Sequence, residues 1–234
     1  MDAKEQIGIL IEKARKAQHE LEKCNQQQID SYVRAIAKVV YDNADPLAKM
    51  AAEETRMGVY EDKINKNKGK AKVIWNSLKG VPSVGIVERN KETGITLIAR
   101  PVGVVGASTP CNNPIVTPMC NSMFAIKGRN AIIISPHPRA KNVNKYLIDL
   151  MNAELAKLGA PKDIIQTIET PSIEASAELM REVDVVVATG GAAMVKSAYS
   201  SGRPSFGVAA SRLAERSGMP RSLEARRTRR IFMS

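Results

Sequence analysis

The sequence predicts an α/β protein in which a helical amino-terminal segment precedes a doubly wound parallel sheet. Three observations predict it. Apolar residues recur at helical spacing through the first 80 residues. Four apolar-rich runs follow, Val102 to Gly106, Ala131 to Ile134, Ile164 to Ile168 and Val183 to Ala188, as expected of strands buried on both faces. Each run is succeeded by a helical pattern: about Ile115 to Lys127, Asn142 to Leu158, Ile173 to Glu182 and Ala192 to Ser200. Strand and helix alternating in units of this length imply right-handed crossovers and a parallel sheet.

In the helical part, residues 1–80, Ile7, Leu10, Ile11, Ala14 and Leu21 form the first stripe, and Asp2 stands three residues before Glu5, the spacing of a capping box. Ile29, Tyr32, Val33, Ile36, Val39 and Val40 give a second stripe. Asp45 followed by Pro46 opens a third helix, which Gly58 is expected to close. Residues 84–100 read as a hairpin, with Val84 to Glu88 and Ile95 to Ala99 flanking the turn-rich Asn90 to Gly94. The sheet spans 102–208. Residues 209–234 hold seven arginines, no lysine and two glutamates, so +5 of the chain's net +11 sits there. No strand or amphipathic helix pattern continues into that stretch, and the switch from lysine to arginine usage is abrupt. It reads as an unrelated basic tail, either disordered or translated from a shifted frame.

With 234 residues the chain can bury a real core. It contains no apolar stretch long enough to span a bilayer, and its charged start does not suit a signal peptide, so a cytoplasmic location and no membrane partner are expected. Cys24, Cys111 and Cys120 have neither metal nor disulfide spacing, and no metal site is expected. A nucleic-acid partner rests on the arginine tail alone and is disfavoured, because no recognition fold accompanies it. Trp75 lies at helical spacing from Leu78 and reads as core, and Lys63 to Lys72 reads as a wet helix face.

In an open parallel sheet, ligands bind beyond the carboxyl ends of the strands, which directs attention to three loops. The first, Ala107 to Pro114, places Thr109, Pro110, Asn112 and Asn113 before a helix beginning near Pro114. There, amides and free backbone N–H groups can meet an anion or oxyanion; local physics alone favours Asn113 as a plain helix cap. Cys111 has no base nearby, since His19 and His137 belong to other elements, and it reads as a filler. The second loop, Ser135 to Lys141, sets His137, Arg139 and Lys141 at a strand end, as a phosphate site or as a solvated basic turn. The third, Thr189, Gly190 and Gly191, lets backbone N–H groups approach a pyrophosphate, and a tight turn explains it nearly as well. The G-x-G-x-x-G fingerprint is absent.

At these residues the chain resembles the CoA-acylating branch of the aldehyde dehydrogenase superfamily. The matching segments are E-T-R-M-G-V-Y-E-D-K from Glu54, R-P-V-G-V-V-G-A-S-T-P-C-N-N-P from Arg100, R-N-A-I-I-I-S-P-H-P-R-A-K-N from Arg129, A-T-G-G from Ala188 and S-G-R-P-S-F-G-V from Ser201. The resemblance covers about residues 5 to 208 and implies a Rossmann-like NAD(P)-binding domain of an oxidoreductase. It further implies oxidation of a small aldehyde with CoA as co-substrate, through a cysteine thiolate and an asparagine that holds the oxyanion. That asparagine is Asn112 by the P-x-N-x-P spacing, or Asn113 by the habit of acylating relatives. Ser135, Pro136 and His137 would border the adenosine end of the cofactor, and Gly190 and Gly191 its pyrophosphate. Neither the lysine nor the glutamate with which hydrolytic relatives hold the ribose is present at Ser135 and Pro138, so NAD and NADP both stay open, with Arg139 compatible with NADP. None of Cys24, Cys111 or Cys120 sits in the nucleophile's motif. The chain therefore reads as the cofactor-binding portion, truncated before the catalytic cysteine and inactive by itself. Homo-oligomers are expected of the full-length family, and the texture is closest to members acting on succinate semialdehyde or sulfoacetaldehyde.

Overall fold

In the computed structural model, residues 2–209 are described; the expected basic tail lies outside them except for Ala209. Four helices come first: α1 (Ala3–Glu22), α2 (Gln26–Asp42), α3 (Ala44–Thr55) and α4 (Tyr60–Leu78). A hairpin of β1 (Gly85–Arg89) and β2 (Thr96–Ala99) follows. Then β3 (Val104–Thr109), α5 (Val116–Lys127), β4 (Ala131–Pro136), α6 (Lys141–Lys157), β5 (Ile165–Thr167), α7 (Ile173–Glu182), β6 (Val185–Gly190), α8 (Ala192–Tyr199) and β7 (Ser205–Ala209) alternate. The five later strands form one parallel sheet in the order β5-β4-β3-β6-β7, as the alternation predicts.

Alternate side chains along the strands supply two cores. Val105, Ala107, Ile132 and Ile134 pack with α2, α5 and α6, whereas Val104, Ile133, Val186 and Ala188 pack with α1, α7 and α8. The amino-terminal helices are thus divided between the two faces of the sheet. Trp75 packs against the first core, as its spacing predicts. The hairpin stands outside both cores and leaves Ile86, Ile95, Leu97 and Ile98 exposed.

Local chemistry sets the boundaries. Asp2 accepts from the Glu5 N–H at 2.7 Å, and Asn25 with Gln28 completes a reciprocal capping box that the sequence reading did not single out. α3 ends at Arg56 and not at Gly58, because Arg56 itself takes the left-handed conformation, φ 53°. β3 starts two residues later than expected. Asn130 Oδ1 accepts the N–H groups of Val102 (2.7 Å) and Gly103 (3.1 Å), which takes them away from the ladder. At its other end β3 continues through polar Ser108 and Thr109, both buried, because pairing with β4 persists to Thr109 opposite Pro136. β7 was missed by the apolar-run criterion, since its Ser-Phe-Gly-Val-Ala pattern alternates between half-buried and exposed.

Polar ties close the amino-terminal end of the sheet. Asp184 accepts from Val104 N–H at 2.8 Å and pairs with Arg15 at 3.0 Å. Gly103 has φ +121°, and a Cβ there would lie 2.2 Å from Asp184 Oδ2. On the other face Lys127, only 7% exposed, is neutralised by Asp30. Gly103→Ala is therefore expected to cost about 2–4 kcal/mol, from backbone strain and the displaced carboxylate, read as a lowered urea midpoint. Asp30→Asn strands the Lys127 charge and should cost about 3 kcal/mol. Adding Lys127→Met to it should recover most of that loss in the same unfolding assay.

Candidate cofactor and oxyanion site

The sheet register brings the three loops together. Ser108 is flanked by Ser135 on β4 and Ala188 on β6, Thr109 lies opposite Pro136, and Gly190 lies opposite Ala209. Because all five strands run the same way, the chain leaves them at one edge. From β3 the chain adds β4 and β5 on one side, then returns to add β6 and β7 on the other. The strand order thus reverses between β3 and β6, the place where open parallel sheets bind ligands, and the loop after Thr109 and the start of α8 flank it. Several residues expected in loops are strand ends. Thr109 closes β3, Ser135 and Pro136 close β4, and Thr189 and Gly190 close β6.

Helix α5 begins at Val116, two residues after the predicted Pro114, with Ile115 at the cap position and no side-chain cap. The expectation that Asn113 is a helix cap is therefore corrected. Its Nδ2 instead donates to Thr117 Oγ1 at 3.0 Å, which fixes the amide and leaves its second N–H to spare. Asn112 is exposed, and Asn113 is half-buried. Both line a depression shared with Lys63, Lys66 and Asn67 of α4.

The Ser135 to Lys141 turn is held more tightly than a solvated basic loop would be. Ser135 is buried, and its hydroxyl lies 2.8 Å from that of Ser176 on α7. His137 is exposed, and its Nδ1 accepts the Arg139 N–H at 3.1 Å, which caps a short 3-10 turn over Pro138–Ala140. Arg139 reaches back to donate to the Thr55 carbonyl at 2.6 Å. The group of three free cations is accordingly reduced: Arg139 serves α3, while His137 and Lys141 face solvent. Glu54 completes the tie, accepting the N–H groups of Asn142 (2.9 Å) and Val143 (2.7 Å) at the start of α6. A carboxylate there meets the positive end of the helix. Sequence reasoning missed Glu54 because the residues it bonds lie 88 and 89 positions away.

Gly191 occupies the cap position of α8 with φ −71°, a conformation open to any residue, and a Cβ there would meet nothing within 4 Å. Nothing inside the protein requires glycine at that point, and the space beside it is open. The same loops offer no poised nucleophile. Cys111 is half-buried, burial pushes the Cys120 thiol up to about 12, and Cys24 sits beside Tyr32. The Tyr32 phenol is itself raised to about 12, chiefly by burial and further by Cys24. Among the described residues there is no cluster of metal-ligating side chains and no helix long and apolar enough to cross a membrane.

Comparison with known proteins agrees with this arrangement. The model of the Aldehyde dehydrogenase family matches residues 1–209. Succinate-semialdehyde dehydrogenase (acetylating) from Clostridium kluyveri is 58% identical over 202 residues, which are 86% of this chain and 45% of that protein. Sulfoacetaldehyde dehydrogenase (acylating) from Bilophila wadsworthia is 47% identical over 200 residues, 85% of this chain and 43% of its own length. The crystal structure of an acetylating aldehyde dehydrogenase from Geobacillus thermoglucosidasius superimposes with a TM-score of 0.86 at 41% identity, covering 88% of this chain and 46% of the other. The chain thus spans about half the length of the curated relatives it matches. The family model and these relatives make this chain a member of the aldehyde dehydrogenase family, on the side of its CoA-acylating members.

Proposed function

We propose that residues 1–208 form the cofactor-binding part of an enzyme that oxidises a short aldehyde to its acyl-CoA, with NAD or NADP bound across the β3–β6 crevice. The observation that carries this reading is the convergence of the asparagine pair, the Pro136–His137 turn and the Gly190–Gly191 turn on one sheet edge, at the point where the strand order reverses. Gly190 and Gly191 leave the first N–H groups of α8 open to a pyrophosphate. Thr109 and Pro110 floor the crevice beside them, and the end of β4 with His137 borders the adenosine end. Arg139 spends part of its guanidinium on Thr55, so only its remaining N–H groups can reach the ribose. When bound, the nicotinamide would accept a hydride from the carbon of the tetrahedral adduct that a thiolate forms with the aldehyde. This chain's contribution to that chemistry is to hold the developing oxyanion, and Asn113 suits the task better than exposed Asn112 because Thr117 already fixes its amide.

The thiol chemistry has a different source. None of Cys24, Cys111 or Cys120 sits in the motif that carries the nucleophile in the family resembled, burial holds the Cys120 thiol protonated, and the amine beside half-buried Cys111 is that of Lys63. The chain by itself is therefore a nucleotide-binding fragment of the acylating enzyme.

Two outcomes test this. Titration with NAD, followed by tryptophan fluorescence or calorimetry, should show saturable binding. Gly191→Val should weaken it at least tenfold, on the order of 1.4 kcal/mol, while shifting the unfolding free energy by less than about 0.5 kcal/mol, since a surface side chain there has open space. Equal NAD affinity in the variant would remove the pyrophosphate assignment. In the same preparation a small aldehyde plus CoA and NAD should yield no NADH; turnover would show that one of the three thiols is competent after all.

A further inference from the structure

The turn between α3 and α4 presents a cation that the fold leaves without a counter-charge. Lys63 lies in the first turns of α4 and folds back across Gly58. Its Cε and Nζ lie 3.3 and 3.4 Å from where a Cβ on Gly58 would be. Lys66 stands one turn further on. Among the described residues neither makes an ion pair, although most ion-paired lysines of this chain find an acid three or four residues away. Glu61 and Asp62 in the same helical turn are exposed.

Three physical circumstances work against a positive charge at Lys63. Its position is close to the positive amino end of α4, where cations are disfavoured. Partial burial draws its ammonium below the ordinary lysine range, Lys66 adds to the effect, and only the Cys111 thiol acts the other way. Lys66 also repels it at helical i, i+3 spacing. Lys63 is half-buried and Lys66 exposed. Both lysines line the same depression as Asn67, Asn112 and Asn113.

We propose that Lys63 and Lys66 bind the anionic far end of the aldehyde substrate, a carboxylate or sulfonate, while its carbonyl lies against the asparagine amides. The proposal rests on the acylating dehydrogenase reading for the identity of the carbonyl end. A bound anion removes the mutual repulsion of the two lysines and meets the helix amino end with the favoured sign. A neutral aldehyde of equal length would leave the half-buried Lys63 ammonium without a counter-charge beside an apolar chain, so the depression selects for charge. The same lysines could attract a phosphate of CoA, and the test separates the two sources.

In the full 234-residue chain, lysines are reductively methylated with carbon-13, which keeps their charge, and their NMR signals are followed on titration with succinate, 2-hydroxyethanesulfonate, neutral butyramide and CoA. Assignments come from Lys63→Met and Lys66→Met. The expected result is a saturable movement of the Lys63 and Lys66 signals with succinate or the sulfonate, none with butyramide, and binding weakened about tenfold in Lys63→Met. NAD affinity and the urea midpoint, measured on each sample, should be unchanged in both variants. Equal response to butyramide, or movement with CoA while both small anions are silent, overturns the proposal. Silent lysines in protein that binds NAD tell against the anion site alone, whereas loss of NAD binding with the anion response intact tells against the dehydrogenase reading.

Discussion

The two-sided pairing of β3 is the constraint on which the rest of the structure depends. Its six residues are all buried, with β4 on one side and β6 on the other, and its register carries Thr109 to the same level as Pro136. A slip by one residue would exchange the set that faces α5 and α6 with the set that faces α1 and α7. It would also part the asparagine turn from the glycine turn. Burial on both faces therefore fixes core and crevice together. Ser108 and Thr109 are polar strand residues that hold the rim in register.

Around that strand the loops are positioned by long-range polar contacts more than by their own sequence. The turn after β4 would be free to swing on His137 and Pro138 alone. Glu54 and Arg139 tie it to the end of α3, one by accepting two N–H groups of α6 and the other by donating to a carbonyl of α3. Each contact satisfies helix-terminal groups that have no partner in their own helix. The residues that keep α3 against α6 thus also fix the turn at the end of β4.

The strands and helices of the sheet were legible because double-sided burial writes itself as uninterrupted apolar runs. Ala131 to Ile134 needed no partner information, whereas Val183 to Ala188 is interrupted by Asp184 and includes half-buried Val185 and Val187. β7 escaped because only one of its faces is covered, leaving Phe206 and Val208 exposed. Strand ends were misplaced wherever a polar residue stays in the ladder, as at Ser108 and Ser135, or where a side chain captures ladder N–H groups, as Asn130 does at Val102. The three turns fall at the edge where topology releases a parallel strand, although Thr109, Ser135, Pro136, Thr189 and Gly190 belong to the strands and not to the loops. What the sequence concealed was commitment. Nothing local distinguishes Arg139, which reaches Thr55, from a free phosphate ligand, or Asn113, which bonds Thr117, from a cap. The lysines of α4 likewise read as a wet helix face until folding set two of them beside the asparagines.

The contacts of Asp184 impose an order on synthesis. Its carboxylate bonds the first N–H of β3, 80 residues earlier, and the guanidinium of Arg15, 169 residues earlier. Closing spans of that length costs entropy before any contact is formed. A nascent chain emerging from the ribosome can wind its helices early, but it cannot lock its first helix or its central strand until nearly the whole described length has been translated. Until β6 is made, the buried central strand β3 lacks one of its two strand neighbours.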